Sequence, residues 1–351
     1  MKISIIGCGT IANNAHIPAY MKNPEAEIKY FCDIILEKAE AAVKKYGCGI
    51  AVKDYHDVLA DPEVVALSVC TPNYMHAQIS IDAMRAGKDV LCEKPAARTY
   101  TEALEMQKVQ HETGKTLNIG VVNRFNDSVR HIKKYIDDGK LGEVYHVYVS
   151  FRAQRSIPGL GGAFTTKAIA GGGSLIDWGV HYLDIVMYCT GDPEPKTVTG
   201  EAFSKLGVDM ANYVYTGMWA EDTKDLNGTY DVDDSVTALV RTAGPVITIN
   251  GAWAENMGNE DASFIEFMGD KGGIHLTYGG DFVFYTTDGD QLIKTMPKFR
   301  TTPAFENEIN AFIDSVKTGK KQPSHIDSAI ITSRMMQAIY DSSEKHEEIK
   351  L

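Results

Sequence analysis

The chain has 351 residues, of which 44% are hydrophobic and 23% charged, with a net charge of −12. That is more than one ordinary core holds and suits two domains of a globular protein. The negative balance argues against nucleic acid or an anionic membrane as partner, so an anionic cofactor would need local backbone donors. The six cysteines (Cys8, Cys32, Cys48, Cys70, Cys92 and Cys189) form no C-x-x-C and no Cys/His cluster with zinc spacing. They read as reduced thiols of a cytoplasmic protein without a metal. No apolar run approaches the roughly 20 residues of a membrane span, and Ile3–Ile6 is too short for a signal-peptide core.

Lys2–Ile6 reads as a buried strand running into Gly7-Cys8-Gly9-Thr10-Ile11-Ala12, a G-x-G-x-x-A pattern. Gly7 permits the tight turn, Gly9 lets a pyrophosphate approach the backbone, and Ala12 lets the next helix pack on the strand. Thr10 and Ile11 open that helix, whose N-terminal N–H groups suit phosphates. A second strand, Glu27–Cys32, ends at Asp33. Asp33 either caps the helix Leu36–Tyr46 or binds the ribose hydroxyls of a dinucleotide. With Ile34 and Ile35 next to it instead of a cation, it favours NAD over NADP.

The alternation continues through helix Asp54–Ala60, strand Val64–Val69, helix Met75–Ala86, strand Asp89–Cys92, helix Thr101–Glu112 and strand Thr116–Val122. The series reads as six parallel strands, five of them placed, in an α/β doubly wound sheet. Thr71-Pro72-Asn73 with His76, Glu93-Lys94-Pro95, and Asn123-Arg124 follow strand ends, where such folds bind ligands. Lys94 is either positioned there or a surface lysine. Arg124 is either a substrate or phosphate contact or a structural salt bridge.

Beyond Val122 the pattern changes. Helix Asp127–Asp138 precedes strand Glu143–Arg152, both faces of which are largely apolar or aromatic, as in a central strand. The loop 153–170 is rich in Gly and Thr and has Arg152, Arg155 and Lys167 in or beside it; its donors suit a polyhydroxylated or anionic ligand, while its glycines equally fit a mobile, solvated loop. Gly171-Gly172-Gly173 precedes Ser174, which is expected to cap a helix of about 15 residues by accepting a backbone N–H. Three glycines there are expected to let the loop pass close to cofactor or substrate. Asp177 and His181 lie four apart on one helix face, either as a general-base pair or as a solvated pair. Strands follow at Lys196–Ser204, Ser235–Arg241, Val246–Trp253, Ser263–Gly269, Gly273–Tyr278 and Phe282–Thr286, and without helices between them they imply a mostly antiparallel open sheet. Helices Pro303–Thr318 and Ile326–Ser343 close the chain. The expected domains are 1–122, 123–302 and a helical 303–351.

The set Gly7 to Ala12, Thr71-Pro72-Asn73 with His76, Glu93-Lys94-Pro95, and Gly171-Gly172-Gly173 through Asp177, His181 and Asp184 resembles the glucose–fructose oxidoreductase / inositol dehydrogenase / MocA family over essentially the whole chain. The resemblance implies an N-terminal Rossmann domain and a C-terminal α+β domain with a large open sheet. It also implies a cis Lys94–Pro95 bond and NAD(P)-dependent redox chemistry, usually on a hydroxyl of a sugar or cyclic polyol; with Asp33 the leading expectation is NAD-dependent oxidation of a secondary hydroxyl on a sugar, glycoside or cyclic polyol. Lys94, Asp177 and His181 match the family's catalytic residues. Expected cofactor contacts are Gly7, Gly9, Thr10, Ile11, Ala12, Asp33, Thr71, Pro72, Asn73, His76, Glu93, Lys94 and Asn123. Expected substrate contacts are Lys94, Arg124, Arg152, Arg155, Lys167, Asp177 and His181. A homodimer or homotetramer formed through the C-terminal sheet is implied. Three alternatives stay open: an NADP-dependent aldose or diol reductase, a glycosidase using NAD transiently, and a non-catalytic nucleotide-binding protein.

Overall fold

In the computed structural model, which describes residues 1–217, 223–259 and 261–351, the apolar runs of the first third become strands and the segments between them helices. The strands are β1 Lys2–Ile6, β2 Glu27–Cys32, β3 Ile50–Val52, β4 Val64–Val69, β5 Asp89–Glu93 and β6 Leu117–Gly120. The helices among them are α1 Ile17–Lys22, α2 Leu36–Tyr46, α3 Tyr55–Ala60, α4 His76–Arg85 and α5 Tyr100–Thr113. Next come α6 Asp127–Asp137, β7 Val144–Ala153, α7 Lys167–Ala170 and α8 Val180–Thr190. The later strands are β8 Pro195–Phe203, β9 Ser235–Thr242, β10 Val246–Ala252, β11 Asp261–Gly269, β12 Gly272–Thr277, β13 Phe282–Asp288 and β14 Gln291–Thr295. Helices α9 Ala304–Thr318 and α10 Ile326–Lys345 precede a short final strand, β15 Ile349–Lys350.

Two compact units result: Met1–Phe125 with Thr302–Ile330, and Asn126–Thr301 with Ile331–Leu351. The C-terminal helices are thus divided, with α9 and the start of α10 in the first unit and the rest of α10 in the second.

The first unit holds a six-stranded sheet in the order β3-β2-β1-β4-β5-β6, every pair parallel. The one strand of this sheet that the sequence pattern leaves unplaced, β3, is only three residues long and carries no apolar run beyond Ile50-Ala51-Val52. The strand order reverses between β1 and β4, so the loops leaving these two strands flank the point where doubly wound sheets bind ligands. At the far edge, the Ile119 N–H donates to the Ser324 carbonyl at 2.8 Å, which covers backbone groups that an edge strand otherwise leaves open.

The second unit holds a nine-stranded sheet in the order β14-β13-β12-β11-β7-β10-β9-β8-β15. Only β7 and β10 pair in parallel, the other pairs being antiparallel. β7 occupies the middle, as its two apolar faces require. One face, with Val147, Val149 and Phe151, packs on Val129 and Ile132 of α6, Leu183 and Val186 of α8, and Met335 and Ile339 of α10. The other carries Tyr148, whose ring lies 5.8 Å from that of Phe264. Phe264 in turn stacks on His275 at 5.0 Å.

Phe151 fixes two glycines. A Cβ on Gly251 would lie 1.9 Å from the Phe151 ring, and one on Gly179 would lie 2.8 Å from Leu175 Cδ1 and 3.1 Å from Phe151 Cζ. The ring is fully buried and has little room to retreat. Gly251→Ala is therefore expected to destabilise the protein by about 1–3 kcal/mol, read as a lower urea midpoint. Adding Phe151→Leu should recover part of the loss, whereas two independent losses would contradict this packing.

Candidate functional site

In the first unit the glycine loop is shaped by what crosses it. Gly7 has φ +92°, and a Cβ there would lie 2.5 Å from the Cys70 carbonyl oxygen at the end of β4. Its N–H donates to the Cys32 carbonyl at 2.8 Å. Gly9 differs, because a Cβ there would meet nothing within 4 Å. No described protein atom requires a glycine at this position, so its bareness leaves backbone open to a ligand, as a pyrophosphate needs.

The Asp33 carboxylate spans the loop. Oδ2 accepts the Cys8 N–H at 2.9 Å and Oδ1 accepts the Ile35 N–H at 2.9 Å. Asp33 therefore ties the glycine loop to the end of β2 and still keeps lone pairs, since a carboxylate offers about four acceptor sites. Burial, and then Asp33, push the Cys8 thiol up to about 12, so it stays neutral beside the loop.

Beyond Thr10 the chain is helical, with a π turn over Ala12–His16 before α1. Ala12 is fully buried against the sheet. The Asn13 side chain donates to the Cys8 and Gly9 carbonyls at 2.9 and 3.1 Å, bracing the loop from behind. Pro72 and Asn73 enter α4 through a short 3-10 turn. The Lys94–Pro95 bond is cis, as the resemblance implied.

Three residues expected at ligands are engaged with the protein. The His76 ring nitrogens face the Pro95 and Thr71 carbonyls, each at 2.8 Å, so this buried ring staples two strand-end loops together. Glu93, 6% exposed, has Oε1 2.7 Å from His16 Nε2 and accepts the Lys94 N–H on Oε2 at 3.0 Å. Arg124, 1% exposed, donates to the Pro323 carbonyl and to Ser328 Oγ, both at 2.8 Å.

In the second unit Asp177 sits in a π turn over Leu175–Gly179 that leads straight into α8. Such turns close N–H to carbonyl over five residues instead of four and recur at functional sites. Asp177 is buried and His181 half-buried, its ring 6.4 Å from that of Tyr278. Tyr278 stacks on Tyr182 at 4.4 Å. Trp178, half-buried, packs against two apolar clusters.

Ser174 corrects its expected role. It makes no side-chain cap; its hydroxyl donates to Asp233 Oδ2 at 2.8 Å. The cap comes from Asp233 itself, which accepts the Gly173 and Leu175 N–H groups at 2.7 and 3.0 Å and the Tyr340 hydroxyl at 2.6 Å. The glycines follow from this approach. A Cβ on Gly173 would lie 1.9 Å from the Asp233 carbonyl oxygen, and one on Gly172 would lie 2.2 Å from the Tyr340 hydroxyl. What crowds them is protein, where a cofactor or substrate was expected. Asp233 stands in Asp231-Val232-Asp233-Asp234, an acidic run whose only sequence signal was two adjacent aspartates before an apolar strand.

The loop 153–170 is built against residues 223–231. The Asp225 N–H donates to the Leu160 carbonyl at 2.9 Å, and Asp231 accepts the Lys167 N–H at 2.6 Å. Arg152 is paired with Glu255 at 2.7 Å. Arg155 donates to the Gln154 and Glu255 carbonyls and to Asn256. Both guanidinium groups are thus committed within the unit, while Lys167 is exposed. Among the described residues, no group of three or more His, Cys, Asp or Glu could hold a metal, and no helix is long and apolar enough to cross a membrane.

Comparison with known proteins covers both units. Residues 1–121 match the model described as "Oxidoreductase family, NAD-binding Rossmann fold", and residues 129–275 match "GFO/IDH/MocA C-terminal domain". D-glucoside 3-dehydrogenase of Escherichia coli (strain K12) is 29% identical, covering 100% of this chain and 97% of that protein. Inositol 2-dehydrogenase of Rhizobium meliloti (strain 1021) is 27% identical over 91% and 89%. Among solved structures, levoglucosan dehydrogenase in complex with NADH and levoglucosan superposes with a TM-score of 0.85 at 22% identity, over 100% of this chain and 99% of that one. At that identity it shows the shared fold.

Two outcomes are expected from these contacts. Asp233→Ala should cost about 2–3 kcal/mol in a urea melt, a lost cap plus lost bonds to a charged acceptor, and Ser174→Ala clearly less. Equal costs would restore Ser174 as the cap. Burial holds the His76 pKa below the ordinary 6.5, against the raising pull of the Pro95 and Thr71 carbonyls. The folded ring resists a proton that the unfolded ring accepts, so its contribution is complete above about pH 6.5 and is lost as pH falls through the lower folded value. Thermal melts from pH 8 to pH 5 should show this decline, and His76→Gln should flatten it in part, since His325 is lowered in the same way.

Proposed function

We propose, from the premise that this chain belongs to the GFO/IDH/MocA oxidoreductase family, that it oxidises a secondary hydroxyl of a neutral sugar, glycoside or cyclic polyol with NAD. The premise carries an NAD-binding Rossmann domain and the dehydrogenase class. The observation that supports the cofactor site is the contrast between Gly7, which the protein itself requires, and Gly9, where a side chain would meet no protein atom within 4 Å and the backbone stays open to a pyrophosphate. Gly7 to Ala12 and Asp33 would hold the dinucleotide, and the Asp33 carboxylate would repel a 2′-phosphate. When bound, NAD supplies the hydride acceptor.

The roles of the chain's own residues follow from the motif match. His181 takes the proton of the substrate hydroxyl, Asp177 orients the imidazole or the substrate, and Lys94 donates a hydrogen bond to the developing alkoxide. The commitment of Arg152 to Glu255, and of Arg155 to the Gln154 and Glu255 carbonyls and Asn256, favours a polyhydroxylated ligand over an anionic one. The half-covered aromatic face of the nine-stranded sheet, with Tyr148, Phe264 and His275, supports pairing of two copies through that face.

A panel of glycosides, free sugars and inositols assayed for NADH formation tests the reaction. The expected result is net NADH from a neutral member of the panel and a clear preference for NAD over NADP. Turnover without net NADH would point to transient oxidation, and preference for NADP would overturn the reading of Asp33. His181→Ala should lower kcat by roughly 10²–10³-fold with NAD affinity near wild type. A fully active variant would remove His181 as the base.

A further inference from the structure

We propose that Glu93 and His16 form a buried positioning device that aims Lys94 and ties it to the turn following the glycine loop; this rests on the reading of Lys94 as the alkoxide donor. The carboxylate is shared between two distant segments. Its Oε2 accepts, at 3.0 Å, the N–H of Lys94, the residue just past the end of β5. Its Oε1 lies 2.7 Å from Nε2 of His16, the last residue of the π turn that the glycine loop enters. The other ring nitrogen lies 3.2 Å from Ser68 Oγ on β4, and that hydroxyl is 2.8 Å from the Tyr20 hydroxyl of α1.

Four buried side chains therefore link the first helical turn after the glycine loop to the backbone of Lys94. His16 and Ser68 are 0% exposed and Tyr20 1%. The space around Glu93 is closed as well. A Cβ on Gly120 would lie 3.1 Å from three of its atoms, so no neighbouring side chain on β6 displaces the carboxylate. Burial alone would raise the Glu93 carboxyl, but the His16 bond and charge, with Lys94, hold it below the ordinary carboxylate value. It is a charged acceptor, and charge-assisted bonds are shorter and stronger than neutral ones.

A carboxylate this deeply buried, with both oxygens engaged inside the protein, is well placed to fix a backbone. Whatever seats the turn Ala12–His16 is felt at the Lys94 peptide through one carboxylate. A displacement near 1 Å of a reacting group can cost on the order of 10²-fold in rate.

The test is a cycle of Glu93→Met, which fills the space but accepts nothing, against Lys94→Ala, with NAD Kd measured by fluorescence beside kcat. In the wild-type background Glu93→Met should lower kcat by about 10–100-fold with Kd for NAD within about threefold. In the Lys94→Ala background it should have no further effect, since residues acting as one unit are not additive. Glu93→Gln should recover most of the rate. Its amide oxygen can accept the Lys94 N–H while its NH2 donates to a His16 ring protonated at Nδ1. Should Glu93→Met not fold, Glu93→Asp, whose shorter carboxylate cannot span both partners, enters the same cycle. A tenfold or greater rise in Kd with kcat intact would overturn the proposal and make Glu93 a cofactor ligand. Equal losses in both backgrounds would overturn it in favour of general destabilisation. Full activity of Lys94→Ala alone would remove the role of Lys94, and this inference with it, a result separable because it appears in the single variant.

Discussion

Turns that leave the ends of strands or open helices cannot satisfy their own first N–H groups, and in both units a carboxylate supplies what they lack. Asp33 accepts the Cys8 N–H. Glu93 accepts the N–H of its neighbour Lys94 while reaching His16, 77 positions away. Asp233 accepts from Gly173 and Leu175 about sixty residues upstream. Asp234 accepts from Lys205, Leu206 and Gly207 in succession on one oxygen. Each bond is charge-assisted and at least partly shielded from water, where losing one partner costs more than making the bond contributes. The segments carrying the candidate chemistry are thereby held to folded strands and not left as free loops.

Close approach is the second half of the same constraint. A carboxylate can reach a backbone N–H only where no side chain intervenes, so Gly173 and Gly172 are bare against Asp233 and Tyr340. Gly7 is bare against Cys70 for the same kind of reason. Gly9 differs from these, because nothing in the protein crowds it. Identical residues in similar motifs thus have two physical causes, and only the surrounding atoms separate them.

The parallel sheet was legible because β1, β2, β4, β5 and β6 carry apolar runs that parallel strands, buried on both faces, require. The three residues of β3 and the two of β15 are too short to show any period. The antiparallel character of the second sheet followed from strands without helices between them, but not the single parallel pairing of β7 with β10, which depends on how distant strands meet. The helix from Ser174 was readable, yet the π turns at Ala12–His16 and Leu175–Gly179 were not. Periodicity fixes that a segment is helical, and a single inserted residue barely alters it.

For the site, local spacing determined what local physics governs: a glycine turn after a strand, an acid at the end of the second strand, a lysine at a strand end, and an Asp and a His one turn apart. Long-range pairing decided the rest. The acceptor of a buried N–H can come from any part of the chain, so Asp233 in place of Ser174, and His16 behind Glu93, became visible only when the sheets were assembled. Arg124, Arg152 and Arg155 make the same point, since a guanidinium reads alike in sequence whether it faces a ligand or a carbonyl. Burial and partners are properties of the packed chain, and they alone assign its charged groups to structure or to chemistry.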